Sequence, residues 1–340
     1  MMFRRVVSFT AAFAFAVGLL APAQARDGGD DFTTAFDRAF GTDVRQPRDF
    51  APIFNSPLSQ RIAQLADGRS GRIGVAAIDL ATGQEVAVLG DQRFPMASTS
   101  KVAIAATFLE GVDKGRWTLN SQFPLMMPVA SAPFSTAVAP VKAGQMMSAA
   151  RLIELMITRS SNPATDALLA AVGGPKAVND WARRAGIQDF QLTRDIATLV
   201  RDDGKTDPAV HIDTRDSATP RAMVQLLAGL HQGRWLSASS RQVILNQMAN
   251  CRTGTRRIPG QLPTGTSVAH KTGTLNNTSS DIGFITLPDG RSLALATYVT
   301  GQGSRLGREQ RIASIARALY DGYQEAPLRQ ASREWVNARY

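Results

Sequence analysis

Cysteine is almost absent from the chain, with Cys251 the one thiol in 340 residues. An internal disulfide framework and a thiolate zinc site both need more than one cysteine, so both are excluded. Histidine is nearly as scarce. His211, His231 and His270 have neither His-x-His nor His-Glu-x-x-His spacing, which argues against a metal held by several imidazoles. There are only six lysines, at 101, 114, 142, 176, 205 and 271, so arginine supplies most of the net charge of +10. The arginines are scattered, with pairs such as Arg183-Arg184 and Arg256-Arg257 and no basic stripe interleaved with aromatics, so a nucleic-acid partner is not expected. Beyond the first 25 residues no run is long and apolar enough to span a bilayer.

A composition of 44% hydrophobic and 19% charged residues supports a sizeable core, in two domains or one domain of mixed architecture. The start of the chain is a separate case. Arg4 and Arg5 precede an apolar run from Val6 to Leu20, and Ala23-Gln24-Ala25 has the small-residue pattern of a cleavage site. Residues 1–25 therefore read as a secretory signal peptide, and the mature protein as periplasmic or secreted, without a transmembrane anchor. Residues 26–55 are an arm of uncertain order.

A helix is expected from Pro57 to Ala66, then a buried strand from Arg72 to Leu80. The turn Ala81-Thr82-Gly83-Gln84 leads to a second strand, Glu85 to Leu89. Two late strands, Asp281 to Leu287 and Ser292 to Thr300, are joined at Pro288-Asp289-Gly290, and an amphipathic helix runs from Arg308 to Tyr323. Residues 98–250 between these ends read as mostly helical. The expected fold is α+β: an antiparallel sheet closed by both ends of the chain, with a helical lobe inserted and a groove where lobe meets sheet.

Three segments at those junctions carry candidate chemistry. Ser98-Thr99-Ser100-Lys101 opens a helix, which puts the serine hydroxyl and the ammonium one turn apart; a lysine neutralised by burial or by another cation can take the serine proton. Ser160-Ser161-Asn162 precedes Pro163 and is either a helix cap or a proton relay with a carbonyl-binding amide. Lys271-Thr272-Gly273-Thr274 supplies a cation, hydroxyl donors and a glycine that lets something approach the backbone.

Ser-x-x-Lys, Ser-x-Asn and Lys-Thr-Gly in this order resemble the penicillin-recognising serine hydrolases, and in detail the class A β-lactamases. Phe94-Pro95, Gly173-Gly174-Pro175-Lys176, Arg215-Asp216 and Thr219-Pro220-Arg221-Ala222-Met223 fit the same likeness, which runs from about Ile73 to Tyr320. The resemblance implies a five-stranded antiparallel sheet with an all-helical lobe, a catalytic domain over 56–340, no cofactor, and a monomer acting on a small β-lactam or peptidoglycan-like substrate. It implies that Ser98 is acylated, that Lys101 activates it and that Ser160 and Lys271 move the proton. Asn162, Thr272, Gly273 and Thr274 would bind substrate, with the N–H groups of Ser98 and Thr274 as the oxyanion hole. Ser280 stands where many relatives have a carboxylate-binding Arg. Some relatives use an Arg in the preceding loop, here Arg257, whose alternative is a surface residue beside Arg256.

The chain also departs from the pattern. Ser161 replaces an Asp, Asp166 replaces a second Asn, and no Glu occurs between Glu154 and Glu309, so the Ω-loop lacks the family's Glu-x-x-Leu-Asn. Counting back from Arg215-Asp216 puts Arg201 at the loop's neck, Asp203 at the Glu position and Asp207 at the Asn position. Counting forward from Gly173-Gly174-Pro175 disagrees by about seven residues, so the loop holds an insertion. Asp203 is then either the deacylating base or a solvated loop acid. The implied activity is β-lactam hydrolysis through an acyl-enzyme on Ser98, slowed by the missing Glu. A peptidoglycan peptide or ester hydrolase, and a β-lactam sensor with little turnover, remain open.

Overall fold

The computed structural model describes residues 56–325, together with the backbone of a two-residue strand, β1 (Val44–Arg45). The proposed signal segment and the rest of the arm lie outside the described residues.

Helix α1 (Pro57–Leu65) begins where Ser56 Oγ accepts from the Ser59 N–H at 3.1 Å, with Pro57 in the first turn. It leads to β2 (Ile73–Asp79) and β3 (Glu85–Val88), then a short β4 (Phe94–Pro95) and a 3₁₀ turn over Ala97–Ser100. The inserted lobe follows: α2 (Lys101–Asp113), β5 (Gln122–Pro128), β6 (Val141–Ser148), α3 (Ala149–Thr158), α4 (Asn162–Val172) and α5 (Pro175–Arg184). It continues through β7 (Phe190–Gln191), α6 (Ile196–Arg201), β8 (Ile212–Asp213), β9 (Ser217–Ala218), α7 (Pro220–Gln232) and α8 (Ala238–Ala249). The chain then returns as β10 (Val268–Leu275), β11 (Thr278–Thr286), β12 (Ser292–Thr300) and α9 (Arg305–Glu325).

The main sheet has five strands in the order β10-β11-β12-β2-β3, every pair antiparallel. β2 from the early chain pairs with β12 from the late chain, Ala76 opposite Ala296, so both ends close one sheet as expected. Alternation along β2 explains why the whole strand is buried. Ile73, Val75 and Ala77 face a core with Ile312, Ile315 and Leu319 of α9, whereas Ala76 and Ile78 face a core with Val102, Leu168 and Met223 of the lobe.

The lobe is not all helical. β5 and β6 form an antiparallel ribbon, largely exposed, with a register shift between Pro124 and Met126. Pro124, Pro128 and Gly144 break the alternation that marks a strand, which is why the sequence does not announce it. Within the arm, β1 pairs antiparallel with β8, Val44 opposite Asp213.

Candidate active site

The turn bearing Ser98 is pinned from several sides. Thr99 Oγ1 donates to Met96 O at 2.7 Å and lies 3.1 Å from the Tyr298 hydroxyl, while Ser100 Oγ donates to Ala97 O at 2.8 Å. Ala97 has φ +49° and Ser160 has φ +57°, a left-handed conformation uncommon for such residues. Such strain concentrates at functional sites, and here it brackets the proposed nucleophile and relay.

Lys101, at the start of α2, is fully buried. Its Nζ donates to Ser160 O at 2.8 Å, Ser160 Oγ at 3.2 Å and Asn162 Oδ1 at 2.8 Å, which uses all three donors. Lys271 Nζ donates to Ser160 Oγ at 3.0 Å and to Thr272 O at 2.8 Å. One hydroxyl thus lies between two ammonium groups. With both lone pairs of Ser160 Oγ taken, its own proton must point elsewhere. Asn162 likewise gives its carbonyl to Lys101 and keeps its amide N–H groups for another acceptor.

The two lysines share a depressed proton affinity. Burial lowers that of Lys101 well below the ordinary lysine range, the Lys271 charge lowers it further, and Asp166 opposes both. Burial brings Lys271 down to about 8, with Cys251 and Asp281 resisting and Arg257 assisting.

β10 is the edge strand that runs past the Ser98 turn. A Cβ on Gly273 would lie 2.7 Å from Met96 O and 2.4 Å from Ser280 Oγ. The close approach that Gly273 permits is therefore that of the chain's own turn bearing Ser98. Thr272 is buried, its hydroxyl 2.6 Å from Thr253 Oγ1. Thr274 is exposed, and its hydroxyl accepts from Arg257 Nη2 at 2.7 Å.

Arg257 is not a surface residue. It is 1% exposed, and its guanidinium donates to Gly273 O and Ser280 O, both at 2.8 Å, and to Glu309. Every N–H of the group is engaged, so Arg257 acts through Thr274, whose hydroxyl it orients. Ser280 is fully buried and does not reach the cleft.

The Ω-loop differs from the count made back from Arg215-Asp216. Its neck is closed by Arg194, whose Nε lies 2.6 Å from Asp216 Oδ2; Arg201 instead pairs with Asp202 at 2.8 Å and holds Thr136. The same spacing, measured from Arg194, moves the Glu position from Asp203 to Ile196 and the Asn position from Asp207 to Val200. Ile196-Ala197-Thr198-Leu199-Val200 keeps only the Leu of Glu-x-x-Leu-Asn. Asp203 is exposed and its carboxylate accepts from the Asn276 N–H at 2.8 Å, beyond the end of β10; it hydrogen-bonds none of Ser98, Lys101, Ser160 and Lys271. Asp207 accepts from Ala209 N–H and Asn277 Nδ2 at 2.9 Å each. The insertion falls after α6, which is why the backward count ran out of frame.

One cluster had no local signal. His270 Nδ1 lies 2.9 Å from Asp281 Oδ2, and although burial disfavours its charge, the Asp281 carboxylate pushes its proton affinity up to about 10. Burial alone would raise the Cys251 thiol, but His270 brings it down to about 7. The β10–β11 register brings Asp281 of β11 to His270, the neighbour of Lys271 on β10, and Cys251 joins them from just beyond the end of α8.

A family model described as the beta-lactamase enzyme family matches residues 57–323. Beta-lactamase CTX-M-8 of Citrobacter amalonaticus is 32% identical over 278 residues, covering 80% of this chain and 92% of the relative. Beta-lactamase Toho-2 of Escherichia coli is 34% identical over 270 residues, covering 78% and 89%. Among solved structures, an ancestral class A beta-lactamase superposes with a TM-score of 0.69 at 34% identity, covering 78% of this chain and 99% of that one. A beta-lactamase from Chitinophaga pinensis superposes with a TM-score of 0.69 at 27% identity, covering 79% and 100%.

Proposed function

Since the chain belongs to the beta-lactamase enzyme family and is a hydrolase of class A type, we propose that it opens the β-lactam amide through an acyl-enzyme on Ser98. The observation that carries this reading is the Ser160 hydroxyl held between Lys101 and Lys271 at 3.2 and 3.0 Å. In the proposed step, neutral Lys101 takes the Ser98 Oγ proton as Oγ bonds to the lactam carbonyl carbon. The developing oxyanion is received by the N–H groups of Ser98 and Thr274. The C–N bond then breaks, and Ser160 passes its proton to the leaving nitrogen as it is reprotonated from the lysine side. Lys271 and the Arg257-oriented Thr274 favour an anionic substrate group nearby, and the free amide of Asn162 suits a substrate carbonyl.

Deacylation is the slow half of this proposal. Ile196, 2% exposed, holds the position from which the family's Glu activates water, and Val200 follows where the Asn belongs. This favours a second reading, a chain that acylates readily and turns over little. A chromogenic cephalosporin with intact-mass analysis separates them. Continuous colour with a transient adduct supports hydrolysis, whereas a stoichiometric burst with a persistent adduct supports the sensor; absence of any adduct overturns acylation. We also propose export through residues 1–25, on the sequence pattern given above. Among the described residues no helix is long and apolar enough to cross a membrane.

A further inference from the structure

Asp166 lies on α4 one turn beyond Asn162, so the two side chains share a helix face, and Asn162 Oδ1 is a direct partner of Lys101 Nζ. Asp166 is 6% exposed, yet both its oxygens are engaged by a different element. Oδ1 accepts from the Ile196 N–H at 2.7 Å and Oδ2 from the Ala197 N–H at 2.9 Å. These are the residues at the start of α6 where the Ω-loop acid is missing. An Asn here would offer one oxygen to two N–H groups; the carboxylate serves both.

We propose that Asp166 sets the pH range in which acylation begins, supplying from α4 the negative charge that Lys101 feels while its carboxylate is held in place by the N–H groups of Ile196 and Ala197. The proposal rests on the acyl-enzyme reading for its role in catalysis. Its electrostatic basis is independent of that reading. Two buried lysines share one hydroxyl, and both stay charged only where an anion lies close enough to compensate. No carboxylate comes from Ile196 or Val200. The charges acting on Lys101 are Lys271, which drives its proton off, and Asp166, which holds it.

α2 brings Lys101 to Asp166, and the N-cap of α6 brings Asp195, a like charge. β5 carries no ionisable side chain. On α3, Arg151 and Glu154 pair with each other, and on α5, Lys176 and Arg183 pair with Asp180. Burial pushes the Asp166 proton affinity up to about 6; the two N–H donors and Lys101 oppose that rise, and Asp195 adds to it. At neutral pH Asp166 is therefore ionised, and Lys101 is harder to neutralise than it would be without it.

Asp166→Asn removes the charge and nearly keeps the shape. The chain's six lysines make ¹³C-lysine NMR a direct readout, with the Lys101 signal assigned by its loss in Lys101→Ala. The Lys101 titration should move to lower pH by about one unit in Asp166→Asn. The acid limb of the cephalosporin burst rate should move with it, a gain of up to about tenfold on that limb above pH 6, where Asp166 of the parent is ionised, closing below pH 6. In the unsubstituted chain the Lys101 signal should also carry an inflection near pH 6 as Asp166 takes up its proton, a measurement that needs no variant to fold. An unmoved Lys101 midpoint in a folded Asp166→Asn chain, or no inflection in the parent, overturns the proposal. A shifted lysine without any covalent adduct overturns the acylation reading and leaves the Asp166–Lys101 coupling standing.

Discussion

Arg194 Nε lies 2.6 Å from Asp216 Oδ2, and the other oxygen of Asp216 takes the N–H groups of Thr193 and Arg194 itself. This pair closes the Ω-loop and sets its frame. With the neck at Arg194, Ile196 and Val200 fall where the family has Glu and Asn, and Asp203 and Asp207 become part of an inserted tip tethered to Asn276 and Asn277.

Asp216 is 2% exposed, so removing its cation leaves a buried carboxylate with backbone donors only. Arg194→Ala should cost about 3 kcal/mol in a chemical denaturation curve. Arg194→Lys should recover part of that loss, since it restores the charge without the planar fork. An Arg194→Ala chain as stable as the parent would show that Asp216 is satisfied by the backbone alone.

Lys271 has its proton affinity lowered to about 8, chiefly by burial, so it is charged below that pH and loses its charge as the pH rises through it. A β-lactam bearing a carboxylate should therefore bind more weakly above pH 8, through a rise in KM of up to tenfold per unit. The neutral ester of the same compound should lack that limb. Equal profiles for acid and ester would remove Lys271 from substrate binding.

Much of the fold and part of the site were legible in the sequence for a common reason. Ser98-x-x-Lys101, Ser160-x-Asn162 and Lys271-Thr-Gly are each contiguous, and each falls where helix or strand geometry presents its side chains together. β2 and β12 carry long apolar stretches, and β11 meets β12 at a clear turn, Pro288-Asp289-Gly290, where Gly290 has φ +86°. What was not legible depends on distance along the chain or on irregular backbone. The Arg194–Asp216 closure spans an insertion whose presence the two counts reveal but whose place they do not, because Arg201 and Asp203 imitate its spacing seven residues later. The His270–Asp281 contact depends on strand register, and Arg257 is buried only because β10, β11 and α9 converge on it.

Cys251 has no partner thiol, and Ala97 and Leu275 occupy the positions where several class A relatives place a disulfide. A thiol reductant should leave both activity and melting temperature unchanged. A fall in either would reveal pairing between chains through Cys251, and Cys251→Ser would then abolish the effect.

In the parent the acyl-enzyme should accumulate, because Ile196 offers neither acid nor base to a water molecule and Asp203 is held elsewhere by the Asn276 N–H. Ile196→Glu places a carboxylate at the family's position, and Val200→Asn adds a polar partner for the water. General-base assistance of this kind is worth about 10²–10⁴-fold, so even an imperfectly placed Glu should speed decay of the adduct at least about tenfold. The added negative charge would also favour the protonated form of Lys101, so acylation in the double variant should be slower at low pH while deacylation is faster. Asp203→Asn serves as the control and should leave both phases unchanged. Pre-steady-state kinetics with a chromogenic cephalosporin measures the two phases separately. If Asp203→Asn slows deacylation and Ile196→Glu leaves it unaltered, the frame set by Arg194 and Asp216 is the wrong one, and the acid counted from Arg201 is the base after all.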